Sequence, residues 1–241
     1  LALLSRASLK GCFGPPAKGR PRFPLDDVQT KSVTAALKSV AVDAFAKQVP
    51  NPVTQVQLQM LKMNCLACHE RAKLGGVGRY RKAFFETVGH VDIGDEGRLP
   101  PPLTGVGSKL LPAWTTKVLL GTAKLRPYMR IRMPAFPKDE VKSLPARLTQ
   151  ADFRQSKPQP TEQEVFGDQA GLAESGRLLL DTGCVQCHPL RGESLPGVVG
   201  IDLAGISSRV HPKWFHDFLL NPAELKPRTR MPTFFPGGKS Q

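Results

Sequence analysis

The chain has 241 residues, a formal charge of +14 at pH 7 and only 7% aromatic residues, against 22 Gly and 23 Pro. That is length enough for two domains of roughly 100 residues, but too little apolar mass, spread over too much loop, for one large protein core. The charge suits an acidic protein surface, an anionic membrane or nucleic acid; no nucleic-acid module is visible, which favours a protein partner, and no run of about 18 apolar residues is there to span a membrane.

The chain opens on Leu1 to Lys10, too short and too interrupted by Arg6 and Lys10 for a signal-peptide core. It has no initiator Met, so a processed product or a piece of something longer is expected. Cys12 stands alone in Gly11-Cys12-Phe13-Gly14 and reads as an incidental thiol. Pro21-Arg22-Phe23-Pro24-Leu25-Asp26-Asp27-Val28 lines up with the later Pro134-Ala135-Phe136-Pro137-Lys138-Asp139-Glu140-Val141. Asp26 or Asp27 can cap a helix whose apolar positions Val33, Ala36, Leu37 and Val40 recur at spacings of three and four. Residues 1–50 thus form an N-terminal arm. Over 11–49 it is either a plain helical arm or the closing segment of an earlier repeat, with Arg20 where later copies carry Met.

A first full repeat is expected over residues 51–149. Pro52-Val53-Thr54 starts a helix that Val56, Leu58, Leu61 and Met63 carry to Cys65-Leu66-Ala67-Cys68-His69, with Met60 and Met63 as core. A Gly- and Arg-rich loop covers 74–81 ahead of Phe84-Phe85, and 92–102 also reads as loop. Leu103-Thr104-Gly105-Val106-Gly107-Ser108-Lys109-Leu110 precedes a helix opened by Pro112-Ala113-Trp114 and running through Leu119-Leu120. Arg132-Met133-Pro134-Ala135-Phe136 follows, then a closing helix over about 138–148.

Residues 150–170, rich in Gln, Pro and charge, read as a linker. The second repeat, 171–241, begins with a helix over 171–182 in which Leu172, Leu178 and Leu179 are packing candidates. Cys184-Val185-Gln186-Cys187-His188 comes next. Leu203 to Val210, Pro212-Lys213-Trp214 and Leu219-Leu220 match the first repeat at an offset of 100, and Arg230-Met231-Pro232-Thr233-Phe234 at an offset of 98. The loop after the Cys run is about 19 residues longer in the first repeat, and the second has no counterpart of the closing helix.

Cys-x-x-Cys-His is the attachment signature of c-type haem: two thiols add to the porphyrin vinyl groups, and the adjacent His reaches the iron. Redox or zinc-binding Cys-x-x-Cys turns are the plainer alternative. Two occurrences, each with a Met downstream, favour two covalently attached haem c groups, which would also supply the core the composition lacks. Covalent attachment takes place outside the cytoplasm, so an exported protein is expected, periplasmic or on the extracytoplasmic face of a membrane. A Met in a Pro-rich loop is usually surface or gap-filler. At the same place in both repeats its thioether reads as a distal ligand, and imidazole plus thioether suits outer-sphere electron transfer.

The pattern resembles the class I cytochrome c family, in particular tandem-domain dihaem bacterial cytochromes c, over about residues 51–149 and 171–236. The resemblance implies a mainly α fold of two tandem small helical domains, each wrapped around a haem. It implies that Cys65 and Cys68 hold one haem, whose iron His69 and Met133 ligate, and that Cys184 and Cys187 hold the other, ligated by His188 and Met231. Trp114 and Trp214 would pack on the haems, each indole able to donate to a propionate. Arg130, Arg132, Arg228 and Arg230 beside the Met turns suit either the propionates or a solvated docking rim. Met129, four residues before Met133, and His90 are competing distal ligands, with packing and a solvated loop as their plainer roles. His211 and His216 flank Trp214, but Leu111 and Thr116 stand at those places in the first repeat, so they fall outside the shared site.

Two six-coordinate irons leave no substrate position. Electron transfer to or from an acidic redox partner, within a larger redox complex, is therefore the expected function. The alternative is a dihaem oxidoreductase, peroxidase-like or thiosulfate-type, with one open haem. The first domain, with Glu86 and His90 in its longer loop, is the better place for that.

Overall fold

The computed structural model describes residues 25–39, 51–88, 94–123, 125–126, 128–153, 171–181, 183–197, 200–227 and 229–239. The chain divides into two units, Leu1–Asn51 and Pro52–Gln241. In the first unit, helix α1 (Asp27–Ser39) opens on a reciprocal box. Gln29 N–H donates to the Asp26 carboxylate (2.7 Å), and Asp26 N–H donates to Gln29 Oε1 (3.0 Å). Of the two Asp candidates, Asp26 is the cap. The extension to Val40, with Cys12 and Arg20, lies outside the described residues.

The second unit is mainly helical. Helix α2 (Pro52–Lys62) places Val53, Val56, Met60 and Met63 on one face at spacings of three and four. Helices α3 (Gly94–Arg98), α4 (Val106–Lys109) and α5 (Pro112–Leu119) follow, then α6 (Lys138–Val141) and α7 (Leu144–Phe153). Val56, Met60, Val106, Leu119, Val141, Leu144, Leu148 and Ala151 form one buried cluster, with Met63, Cys65, Leu66 and Phe136 packed against it. Met60 and Met63 are core, as the helical spacing expects.

Two devices fix α7 in place. A Cβ on Gly107 would lie 2.1 Å from the Leu148 carbonyl oxygen, so α4 and α7 meet backbone to backbone. Ser207 stands at the matching place in the second repeat and is exposed. Beside this contact, Arg71 and Asp152, each 7% exposed, pair through two nitrogens, at 2.5 and 3.2 Å. Asp152 also accepts from Gly107 N–H (2.6 Å), and Arg71 donates to the Leu103 carbonyl (2.6 Å).

Three differences from the sequence reading concern this half. The closing helix is split at Lys142-Ser143, because Pro145 has no N–H to give the Val141 carbonyl and so starts a new helix. It then runs on to Phe153, which takes residues 150–153 out of the expected linker; residues 154–170 lie outside the described ones. The stretch expected as loop over 92–102 contains α3, whose two glycines hide it from periodicity.

The remaining helices are α8 (Leu172–Asp181), α9 (Pro212–Leu220) and α10 (Pro222–Leu225). Neither α8 nor α9 buries a residue. Leu172, Leu178 and Leu179, expected to pack, are 41%, 56% and 38% exposed. The last turn of α8 leads to Cys184, whose thiol lies 3.9 Å from the Leu179 carbonyl. Among the described residues the one sheet is a two-stranded hairpin, β1 (Glu70–Arg71) with β2 (Leu74–Gly75), directly after His69. Among the described residues no helix is long and apolar enough to cross a membrane.

Candidate functional site

Both Cys runs fold into the same local shape. Asn64 in the left-handed region (φ 57°) ends the entry from α2 and leads into a single 3-10 turn over Cys65–Ala67. Gly183 precedes the matching turn Cys184–Gln186 after α8. The His N–H closes each turn on the first Cys carbonyl, at 2.9 Å for His69 to Cys65 and 2.9 Å for His188 to Cys184. Each run thus shows one half-buried and one exposed thiol: Cys65 and Cys184 against Cys68 and Cys187.

The imidazoles are held alike. Nδ1 of His69 lies 2.7 Å from the Pro101 carbonyl, and Nδ1 of His188 lies 2.8 Å from the Ile201 carbonyl. A carbonyl only accepts, so Nδ1 carries the hydrogen and Nε2 keeps its lone pair for a metal. Burial holds the His69 pKa below the ordinary histidine value, against the pull of the Pro101 bond, which favours the neutral, ligating form. Pro101 and Ile201 stand at equivalent places, although 32 residues separate the partners in one half and 13 in the other. The next strap is also shared: Leu103 N–H to the Glu70 carbonyl (2.7 Å) and Leu203 N–H to the Pro189 carbonyl (2.9 Å). The longer loop therefore bulges out and leaves the histidine seat unchanged.

Close backbone approaches cover both runs. A Cβ on Gly75 would lie 2.4 Å from the Leu66 carbonyl oxygen, and one on Gly200 would lie 2.1 Å from that of Cys187. A reactive dithiol needs a lowered thiol pKa, whereas burial pushes the Cys65 and Cys184 thiols up. A structural zinc needs four nitrogen or sulfur ligands, and among the described residues no three His, Cys, Asp or Glu side chains gather for a metal.

The Met turns return toward these runs. In the second half, the Phe234 ring packs on Gly183, where a Cβ would meet Cε1 at 2.6 Å, so the turn carrying Met231 abuts the residue before Cys184. In the first half, Phe136 packs on the buried cluster that also takes Cys65, and its N–H donates to the Leu119 carbonyl (2.9 Å). Met231 is half-buried, and Met133 is 40% exposed. Met129 pairs its backbone with Thr87, holding the longer loop against the stretch before Met133. Glu86 forms an exposed ion pair with Arg130 (2.7 Å). Arg132 donates to the Arg126 carbonyl (2.8 Å). His90 and Arg228 lie outside the described residues.

The two tryptophans sit where the halves meet, a feature that sequence reading missed. Leu110 and Val210, equivalent residues, form an antiparallel bridge. It is flanked by Leu111 N–H to the Arg209 carbonyl (3.0 Å) and His211 N–H to the Lys109 carbonyl (2.9 Å). Equivalent positions bond to each other reciprocally, as in an isologous contact between two copies. The side chains repeat the exchange: Lys109 Nζ lies 4.3 Å from the Trp214 ring centre, and the Arg209 guanidinium carbon 5.9 Å from that of Trp114. Arg209 is 4% exposed and its Nε has no hydrogen-bond partner; Lys109 is pushed down to about 8 by burial, with Arg126 adding to the shift. His211, set aside by the sequence comparison, meets Phe153 edge-on at 5.2 Å and so ties α7 to the second half. A double-mutant cycle of Lys109→Ala and Trp214→Leu should give a coupling of about 0.5–2 kcal/mol in urea unfolding. Additive losses would deny the contact any energy.

The donor types present in each half, two thiols on one turn, an imidazole whose Nδ1 is tied to a carbonyl and a Met in a turn that follows, are those a covalently held haem would use. The orphaned Arg209 Nε at the junction offers a donor to a carboxylate. No family model matches the chain, and comparisons with curated proteins and with solved structures return no match.

Proposed function

We propose that the chain is a dihaem c-type cytochrome that passes electrons between redox partners as a module of a larger complex on the extracytoplasmic side of a membrane. One observation carries this. Two Cys-x-x-Cys-His runs, followed by loops of different length, form the same 3-10 turn with the same Nδ1-to-carbonyl lock. Cys65, Cys68, His69 and Met133 would hold one haem, and Cys184, Cys187, His188 and Met231 the other, in two tandem small domains of cytochrome c type. A bound haem c supplies a one-electron ferric–ferrous couple. Around it, the carbonyls of Pro101 and Ile201 aim the imidazoles and raise their donor strength. The proline after each Met stiffens the loop that presents the sulfur. The charge of +14 favours an acidic docking partner.

One observation supports a second reading, a dihaem oxidoreductase working at the first site: Met133 is the more exposed of the two distal candidates. Carbon monoxide added to the dithionite-reduced protein separates the two. Two low-spin haems untouched by the gas support electron transfer; ready uptake by one supports the enzyme.

Met231→Ala is expected to open one iron to carbon monoxide and to lower that haem's potential, because thioether favours the ferrous state. An unchanged spectrum and potential would remove Met231 from the iron.

A further inference from the structure

The geometry points to Glu96, in the extra loop of the first half, as a positioning residue for Met231 in the second, a role that rests on the haem reading above. Helix α3 is anchored within its own half. Asp95 pairs with Lys82 (2.9 Å) and Arg98 (2.5 Å). Arg98 also donates to the carbonyls of Lys82 (3.2 Å) and Phe85 (3.3 Å). Those hydrogen bonds, that of Lys82 first, hold the Asp95 carboxyl below its ordinary range. Arg126 secures the Glu96 carbonyl from a third side (3.4 Å).

From this base the loop reaches across. Glu96 Oε1 accepts from Lys226 Nζ, with both side chains about three-quarters covered. The Arg230 guanidinium lies on Gly94, where a Cβ would come within 3.4 Å of it. Lys226 and Arg230 bracket Thr229, and Thr229 joins them to the ligand. Its N–H donates to the Lys226 carbonyl (2.9 Å), and its Oγ1 accepts from Met231 N–H (3.2 Å). A continuous chain of polar contacts therefore runs from Glu96 through Lys226 and Thr229 to Met231.

In the first half the Met133 turn leads into α6 and α7, which are rooted in the buried cluster. After Met231 the described residues form only the turn Pro236–Gly238, which lies against the end of α9 at Leu220, and Phe234 packs on Gly183. The loop of the first half thus supplies from outside the restraint that α6 and α7 supply within. Glu96 Oε2 is buried without a hydrogen-bond partner, so Lys226 is the cation that compensates this carboxylate. Breaking a pair covered this far costs more than breaking a fully exposed one, because it strands the remaining charge.

The test is Glu96→Gln in the full holoprotein, read by carbon monoxide uptake when reduced and by the sulfur-to-iron charge-transfer band when oxidised. Covalent haem per chain should stay as in the parent. One haem should take up the gas with the spectrum of Met231→Ala, and the charge-transfer absorbance should fall to about half. Swapping the charges, Glu96→Lys with Lys226→Glu, should restore inertness, which a general loss of stability would not predict. Glu96→Gln with its full haem content and the parent's inertness overturns the proposal, as does uptake that matches Met133→Ala. A parent protein without covalent haem overturns the haem reading instead.

Discussion

Replacing Cys184 and Cys187 together by alanine is expected to halve the covalent haem, leaving one group per chain on Cys65 and Cys68. The two seats are built independently. Each has its own turn, its own Nδ1-to-carbonyl lock and its own entering helix. The first also stands on the buried cluster of α2, α4, α5, α6 and α7. Among the described residues the second has no such cluster, and α8 and α9 bury none of theirs. Loss of its haem should therefore also unfold the second half, seen as a drop in helical circular dichroism, while the first half keeps its cooperative transition. The reverse pair, Cys65→Ala with Cys68→Ala, should leave more helix, because protein core remains there. Both pairs losing all covalent haem would mean that attachment depends on the two halves jointly.

Asp152→Ala should cost about 3–5 kcal/mol, since it strands the buried Arg71 guanidinium without its counter-charge. It also takes the acceptor from Gly107 N–H at the tightest contact between α4 and α7. Against the usual total of about 5–15 kcal/mol that is a large share. For a unit of this size the midpoint of thermal unfolding should fall by on the order of 10 °C. Arg71→Met with Asp152→Leu should recover much of it, because the pair itself is worth little beyond not being broken. A single Asp152→Ala variant melting with the parent would show that Arg71 finds another partner.

Much of the site was legible because its chemistry is local in sequence. Four Cys and two His sit at fixed spacings ahead of two Met-Pro turns, and the repeats match at an offset of 100 from Leu103 and Leu203 onward; the roles of the Pro101 and Ile201 carbonyls, just before that stretch, showed only in the structure. A cap at Asp26 or Asp27 and the face through Val56, Met60 and Met63 follow from helix geometry alone. What escaped was long-range pairing. Nothing in the order of residues couples Arg71 to Asp152 or Glu96 to Lys226, because each partner is one ordinary charge among many. The crossing of Lys109 to Trp214 and Arg209 to Trp114 was hidden for another reason. The repeat comparison aligned these residues with each other and gave no sign that equivalent residues face one another. Helix α3 was lost to its glycines, and the continuation of α7 to Phe153 was masked by the polar residues that follow. The contrast between Gly107 and Ser207 was visible in the alignment, but its meaning needed the Leu148 carbonyl 2.1 Å away.

The central claim is that both Cys runs carry haem. Mass spectrometry of proteolytic peptides tests it, on protein exported from a host with haem-attachment machinery. Two peptides, one spanning Cys65–His69 and one spanning Cys184–His188, should each carry one haem through both sulfurs, with matching haemochrome absorbance in alkaline pyridine. Free thiols on both peptides, without haem absorbance, would contradict it.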